Sequence, residues 1–268
     1  MTHILVTRLD VHGDVLVGTS VLPGLREQYP DAEIDWHVRS GYGQLLEYNP
    51  YLRKVWQGPF DEIPEVYDKS YSLDHHYQWD RPMAQVYCDT CGVPLHRPEI
   101  YLNEAERKLA ANNTGLILVA NKAGWRSREC ATLPDVLSEL AANYPMMLQV
   151  DMGTPIRNIK RFDGTLRQVA ALMSTASLYI GIDTVFMHMA VALNRPMVLC
   201  MGPTGPESQY IPGASFCRLF KHHNPAAPHE AFSYGVRIPR EHILKTIRDR
   251  LDEYGTVDNS TETREIFL

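Results

Sequence analysis

The sequence has no apolar run long enough to cross a bilayer and no excess of positive charge. A spanning helix needs about 18 to 20 consecutive apolar residues, whereas the apolar run at the N-terminus is interrupted by Arg8 and Asp10. No cationic region precedes that run, so we do not expect a signal peptide. The net charge of -6 disfavours a nucleic-acid partner bound mainly through its phosphates. We therefore expect a cytoplasmic protein without a transmembrane segment.

Cysteine is also scarce, and its spacing excludes a disulfide framework. Five cysteines are scattered along 268 residues, a pattern typical of reduced thiols. Cys88 and Cys91 form a single Cys-x-x-Cys pair, but no second pair completes a structural zinc site. The segment "SGYGQLLE" lacks the third glycine of the dinucleotide fingerprint, which weakens the hypothesis of a hydride-transfer enzyme.

Length and hydrophobic patterning predict an α/β protein with two domains. The chain is about twice as long as a usual single domain, and strands alternate with helices through both halves, as in parallel sheets covered by helices. The segment "EAERKLAANNTG" is polar and precedes a new buried strand. We therefore predict an N-terminal domain over 1–106, a C-terminal domain over 107–255 and a polar tail over 256–268.

The loop "DVHGD" directly follows the first predicted strand. Open parallel sheets bind ligands at the carboxyl ends of their strands, so Asp10, His12 and Gly13 are candidate residues of a cleft between the two halves. Asp14 precedes the predicted helix "VLVGTSVLPGLREQYP". It is either a proton acceptor stabilised by the helix dipole or the N-cap of that helix, and the local pattern leaves both open.

Two segments of the second half have features of an anion site. Asp183 and Thr184 end a predicted strand where a helix begins, so unpaired backbone N–H groups are expected there. His188 follows one helical turn later as either a site residue or a buried packing residue. The next strand ends in a tight loop of Gly202, Pro203 and Thr204.

A third segment, "ANKAGWRSREC", follows the first predicted strand of the second half. Arg126 and Arg128 lie in it, and guanidinium groups offer forked donors that match phosphate oxygens. A solvated basic loop explains the same residues, and spacing alone does not choose between the two.

Several motifs in order resemble glycosyltransferase family 9, the heptosyltransferase-like group that includes the lipopolysaccharide heptosyltransferases. The opening "RLDVHGDVLVGTSVLPGLREQYPDAEIDWHV" is similar to the family's strand, Gly-Asp pair and following helix. "YNPYLRKVW" is similar to a second element. "ALMSTASLYIGIDTVFMHMAVALNRPMVLCMGPTGP" is similar to the family's most specific signature, an Asp-Ser/Thr-Gly-x-x-His segment followed by "GPT-x-P".

The resemblance implies a GT-B fold with two Rossmann-like domains facing a central cleft. It also implies an inverting, metal-independent transferase without a cofactor, in which Asp14 is the catalytic base and Arg128 replaces the family's donor-binding lysine. Other residues carried over as donor-binding are Asp183, Thr184, Val185, His188, Gly202, Pro203, Thr204 and Thr154. Val185 stands where the family has glycine, and Thr154 lies near the position of an acidic ribose contact.

The implied reaction moves a heptose or hexose-like sugar from a nucleotide diphosphate to a hydroxyl of a glycan acceptor such as lipopolysaccharide. Two alternatives stay open. One keeps the fold and changes the acceptor to a secondary metabolite, a protein or a modified nucleic acid base. The other is an inactive relic that binds a nucleotide sugar. Peripheral contact with a membrane-bound acceptor at the inner membrane is compatible with each transferase hypothesis.

Overall fold

The computed structural model describes residues 2–9, 11–59, 63, 66–74, 78, 80–209, 214–218 and 235–254. Asp10 and the predicted tail over 256–268 lie outside the described residues. The chain divides into two compact units, the first formed by Met1–Asn103 and Glu207–Tyr210, the second by Glu104–Pro206 and Ile211–Leu268. None of the described helices is long and apolar enough to cross a membrane.

The first unit contains a four-stranded parallel sheet. Its order is β3-β2-β1-β4, with Ile4 opposite Ile34 and Val6 opposite Trp36. Its strands and helices are β1 (His3–Thr7), α1 (His12–Gly18), α2 (Leu22–Gln28), β2 (Glu33–Val38), β3 (Leu52–Gln57), β4 (Lys69–Ser72) and α3 (Met83–Cys91). Its core is formed by the inward faces of these strands and by the helices packed on them.

The helix predicted after β1 is broken into two. α1 ends at Gly18, a 3₁₀ turn covers Thr19–Val21, and α2 follows. Pro23 explains the break, because proline has no N–H to continue the helical hydrogen bonds and is tolerated in the first turn of a new helix.

The second unit contains a six-stranded parallel sheet in the order β10-β9-β8-β5-β6-β7. Its elements are α4 (Glu104–Asn112), β5 (Ile117–Val119), α5 (Leu133–Leu140), β6 (Met147–Gln149), β7 (Lys160–Arg161), α6 (Leu166–Ser174), β8 (Leu178–Gly181), α7 (Val185–Ala192), β9 (Met197–Met201), β10 (Ala214–Arg218) and α8 (Arg240–Tyr254). The central strands β5, β8 and β9 are fully buried, which explains their continuous apolar sequences.

The polar segment that follows the first unit is a helix. The sequence predicted this segment only as a polar approach to the next strand, whereas the structure shows that it forms α4. Only Glu106 and Ala110 of this helix are buried. Glu106 is bound by the guanidinium of Arg167 on α6 through two hydrogen bonds of 2.6 and 2.5 Å. This ion pair holds α4 against α6 within the second unit.

Candidate active site

In the first unit, the loop after β1 leads directly into α1, which begins at His12. Asp14 therefore lies in the first turn of the helix, and the N-cap alternative is wrong. The N-cap residue is Val11, and no side chain caps the helix there. Val11 has φ of 48°, a conformation that β-branched residues rarely adopt and that strained loops at functional sites often contain.

The Asp14 carboxylate is held by Arg8, the residue that follows β1. One guanidinium nitrogen of Arg8 donates to Asp14 Oδ2, and the other donates to Asp74 Oδ1 at 2.7 Å. The backbone N–H of Leu9 also donates to Asp74 Oδ1, at 3.2 Å. One arginine thus binds two carboxylates at the carboxyl edge of the sheet.

Asp74 was not among the predicted site residues. It lies two residues after β4, and the sequence around it has no periodicity that would have identified a strand end. β4 is the direct neighbour of β1 in the sheet, which is why Asp74 and Arg8 meet. Only the strand order, which the sequence does not specify, reveals this partner.

His12 packs beside the same loop. Its ring centre lies 4.7 Å from that of Tyr42, and its Nδ1 is buried without a hydrogen-bond partner among the described residues. Burial lowers the pKa of His12, which favours a neutral imidazole. Gly13 is partly buried between His12 and Asp14. These three predicted residues therefore lie together in one turn.

In the second unit, loops from three adjacent strands converge. Asp183 follows β8 and is almost fully buried, and Arg128 and Thr204 lie in the loops after β5 and β9. The Thr204 hydroxyl donates to Asp183 Oδ2, and Arg128 Nε lies 3.3 Å from the same oxygen. The guanidinium of Arg128 also lies over Trp125, 4.6 Å from the ring centre. The buried carboxylate is thus paired electrostatically with a partly exposed cation, although Arg128 Nε donates no hydrogen bond to a described residue.

The other arginine of this segment has a different setting. Arg126 is exposed, and its carbonyl accepts a hydrogen bond from the Glu129 N–H. Of the two arginines in the loop, the structure places Arg128 against Asp183.

The helix α7 begins directly after Asp183 and Thr184 in the sequence. Thr184 is its N-cap residue, but the Thr184 side chain makes no capping hydrogen bond. Val185, the first helical residue, is partly buried, and His188 is buried in the next turn. The backbone N–H groups at the start of the helix give it a partial positive charge that favours an anion.

The loop after β9 requires its glycine for packing. A Cβ on Gly202 would lie 2.3 Å from Val236 Cγ2, closer than any side chain tolerates. Pro203 and Thr204 follow and are both buried. The loop therefore packs closely enough to present the Thr204 hydroxyl to Asp183.

The loop after β6 is held by hydrogen bonds to a buried carboxylate. Asp151 is buried and accepts hydrogen bonds from the N–H groups of Lys122 at 2.9 Å and Gly153 at 2.8 Å. The Gln149 side chain donates to Asp151 at 2.7 Å and to the Thr154 carbonyl at 3.1 Å. Asp151 therefore joins two loops, whereas the Thr154 side chain is exposed.

The Cys-x-x-Cys pair does not form a metal site in the part of the chain that the structure describes. Cys88 and Cys91 are both buried, and the Cys88 sulfur lies 3.6 Å from the Ser20 hydroxyl. No cluster of three or more His, Cys, Asp or Glu residues with metal-binding geometry occurs among the described residues.

Residues 164–228 match the family model of glycosyltransferase family 9 (heptosyltransferase). The match contains Asp183, Thr184 and the Gly202–Thr204 loop, in the order that the sequence motifs predicted. The resemblance to glycosyltransferase family 9 is confirmed. The match supports heptosyltransferase-like glycosyltransferase chemistry for this chain. No curated protein sequence matches it.

Solved family 9 structures share the fold over most of the chain. A family 9 glycosyltransferase from Veillonella parvula is 17% identical, with a TM-score of 0.72 over 94% of this chain and 98% of its own. The ADP-heptose lipopolysaccharide heptosyltransferase II of E. coli is 16% identical, with a TM-score of 0.74 over 94% and 99%. E. coli heptosyltransferase WaaC with ADP is 14% identical, with a TM-score of 0.68 over 93% and 100%. The GT-B fold predicted from the motifs is confirmed.

Proposed function

We propose that this protein is an inverting glycosyltransferase that moves a sugar from a nucleotide diphosphate to an acceptor hydroxyl without a metal. The observation that carries the proposal is the convergence of Arg128, Asp183 and Thr204 from three adjacent strand ends of the second unit. This is the edge at which open parallel sheets bind nucleotides.

The donor diphosphate is bound by Arg128 and by the N-terminus of α7. Arg128 Nε lies 3.3 Å from Asp183 Oδ2 in an ion pair without hydrogen-bond geometry, and the terminal guanidinium nitrogens are the groups assigned to bind phosphate oxygens. As the glycosidic bond breaks, negative charge develops on the leaving diphosphate. A fixed cation and preoriented N–H groups stabilise that charge more than they stabilise the bound donor.

The acceptor is activated by Asp14. Its carboxylate is the more exposed partner of the Arg8 contact, and Oδ2 is the oxygen that Arg8 binds. Oδ1 is therefore the oxygen assigned to take the proton of the acceptor hydroxyl. The acceptor oxygen bonds to the anomeric carbon as the bond from that carbon to the diphosphate oxygen breaks. Attack from the face opposite the diphosphate inverts the anomeric centre.

The substrates follow from the family rather than from a contact in this chain. We propose a heptose or hexose-like sugar as the transferred group and a glycan such as lipopolysaccharide as the acceptor. Reaction in the cytoplasm, with peripheral contact to the inner membrane when the acceptor is membrane-bound, is part of the same proposal. WaaC has been solved with ADP, so ADP and ADP-linked sugars are the first ligands to test.

Donor binding is tested by thermal shift of the full chain with ADP-, GDP-, UDP-, CDP- and dTDP-linked sugars, with and without EDTA. The proposal predicts stabilisation by one nucleotide class that EDTA does not reduce. Stabilisation that EDTA abolishes would contradict metal independence. No stabilisation by any member of the panel would contradict the proposed donor class.

Turnover is tested by slow hydrolysis of the stabilising donor, with water replacing the acceptor. We expect Asp14→Asn to lower the hydrolysis rate about 10²- to 10⁴-fold, the usual contribution of a general base. Asp89→Asn is the matched control, because Asp89 is an exposed carboxylate of the same unit paired with Arg81. A wild-type chain that binds the donor without hydrolysing it, and shows no transfer with any acceptor supplied, supports the relic hypothesis instead.

A further inference from the structure

Tyr179 on β8 carries a buried hydroxyl that the fold itself does not use. Its side chain is fully buried, and the hydroxyl makes no hydrogen bond to any described residue. A buried hydroxyl without a hydrogen-bond partner destabilises a fold. Such a group calls for an explanation, and a catalytic role, an ordered water or a bound ion is among the recognised ones.

The side chain runs along the strand towards its carboxyl end. Residues two apart on a strand share a face, and a Cβ on Gly181 would lie 2.2 Å from the Tyr179 hydroxyl oxygen. The same Cβ would lie 2.9 Å from the carbonyl oxygen of Ala120. Gly181 therefore provides the space through which the phenol reaches the start of α7.

At that end of the strand, the Tyr179 hydroxyl faces Thr184. Hydrogen-bonding interaction with the Thr184 side chain and the Ile182 backbone lowers the pKa of Tyr179, although neither contact meets hydrogen-bond geometry, and Asp151 and Asp183 are the neighbouring charges. The Thr184 hydroxyl is also buried without a hydrogen-bond partner among the described residues. Burial raises the pKa of Tyr179, and the two carboxylates add to that rise. The phenol therefore stays protonated and can donate.

The residue after Thr184, Val185, makes the hydroxyl groups of Tyr179 and Thr184 more important for binding a phosphate. Val185 stands where the resembled family has glycine, so a Cβ lies at the first helical position. A side chain there limits how closely a phosphate can approach the backbone. Hydroxyl groups reach further than backbone N–H groups and can replace part of that contact.

We propose that Tyr179 is a positioning residue for the donor diphosphate: its hydroxyl donates to Thr184 Oγ1, which in turn donates to a phosphate oxygen. A threonine hydroxyl can accept one hydrogen bond while it donates another, so the chain of two bonds is complete only with a phosphate bound. This inference rests on the proposed function, because the ligand is the nucleoside diphosphate part of the donor.

The test is titration calorimetry of the full chain and of Tyr179→Phe with ADP, GDP, UDP, CDP and dTDP. We expect Tyr179→Phe to weaken binding of the preferred nucleoside diphosphate about 3- to 10-fold, the effect of one net hydrogen bond. Binding of the matching nucleoside, which has no phosphate, should not change. The ligand-free variant should unfold at the same temperature as wild type or higher, since an unpartnered buried hydroxyl is removed.

Thr184→Val and the double variant show whether the two hydroxyls act together. If Tyr179 acts through Thr184, the double variant binds no more weakly than Thr184→Val alone. Tyr144→Phe is the matched control, because Tyr144 is a partly buried tyrosine packed on the core of the same unit. It should leave nucleotide binding unchanged.

Wild-type affinity in Tyr179→Phe, or additive losses in the double variant, overturns the inference alone. A Tyr179→Phe chain that weakens nucleoside and nucleoside diphosphate equally also overturns it, because the role would then be structural. If the wild-type chain binds none of the five nucleoside diphosphates, the proposed function fails together with the inference.

Discussion

Each unit contains an arginine–aspartate contact at the carboxyl end of its sheet, but the two contacts have opposite arrangements. In the first unit, Asp14 is 27% exposed and Arg8 is 13% exposed. In the second unit, Arg128 is 24% exposed and Asp183 is 3% exposed. The carboxylate is the accessible partner in one unit, and the cation is the accessible partner in the other.

Under the proposed function, the accessible member of each pair is the one that meets a substrate. A base must be reached by the acceptor hydroxyl, and a phosphate-binding cation must be reached by the donor, whereas the partner that orients each group can be buried. Arg8 and Asp183 also make second contacts, to Asp74 and Thr204 respectively. These contacts fix the buried partners, so the same kind of ion pair serves to present opposite charges in the two units.

Replacing the buried partner of the first unit should have the largest effect on stability. Arg8→Met leaves the carboxylates of Asp14 and Asp74 without their cation. We expect a loss of roughly 3 kcal/mol in the free energy of unfolding, the low end for a broken buried ion pair because Asp14 is partly exposed. Urea unfolding at pH 7 measures it.

Arg81→Met is the control for Arg8→Met. Arg81 pairs with Asp89 on the surface of the same unit, where both side chains are more than 40% exposed. Surface pairs contribute less than about 1 kcal/mol. Equal losses in the two variants would show that Arg8 supports the fold no more than a surface arginine does.

Replacing the accessible partner of the second unit should act mainly on ligand binding. Arg128→Met removes a charge-assisted hydrogen bond worth about 1.5 to 3 kcal/mol, so nucleoside diphosphate affinity should fall roughly 10- to 100-fold. Arg128→Lys keeps the charge that the family's lysine supplies and should retain most of the affinity. Calorimetry well below the unfolding temperature measures both; unchanged binding in Arg128→Met would remove Arg128 from the donor site.

Replacing the accessible partner of the first unit should barely change stability. In Asp14→Asn, Arg8 keeps its 2.7 Å contact with Asp74 and can still donate to the amide oxygen. We expect a change within about 1 kcal/mol, as for other partly exposed pairs. The same urea experiment measures it. A loss as large as that in Arg8→Met would instead make Asp14 a structural residue.

Much of the fold was predictable, because the buried strands and amphipathic helices of the second unit have clear hydrophobic patterns. α5 shows this, because its buried residues lie mainly on one face. α4 was not predictable, since its sequence is polar on nearly all sides and Glu106 depends on Arg167, 61 residues away. A pattern of neighbouring residues cannot reveal a contact between helices so far apart in the chain.

The residues of the candidate site could be predicted from the sequence, but the contacts between them could not. Arg128, Asp183 and Thr204 come from three separate segments, and only the neighbouring positions of β5, β8 and β9 bring them together. From the sequence, Tyr179 is indistinguishable from an ordinary core residue. Its unpartnered hydroxyl and the space at Gly181 are seen only in the structure. Strand order and close packing supply the information that spacing lacks.

The smallest expected effect concerns His12, which lies beside the accessible carboxylate. Burial lowers the pKa of His12 in the folded chain, below the ordinary value of about 6.5 that applies when it is unfolded. The unfolded chain therefore binds a proton more readily, and the folded chain loses stability as the pH falls below about 7 towards the folded pKa. We expect His12→Asn to lose less stability than wild type between pH 8 and pH 5.5.

Urea midpoints at both pH values measure this difference, and His242→Asn is the control because His242 is exposed on α8. The pH dependence of His242→Asn is the reference with which that of His12→Asn is compared. If His12→Asn keeps the pH dependence of wild type, the imidazole is solvated and can carry a positive charge beside Asp14. A reduced dependence means that His12 is neutral at pH 7 and adds no second cation beside Asp14.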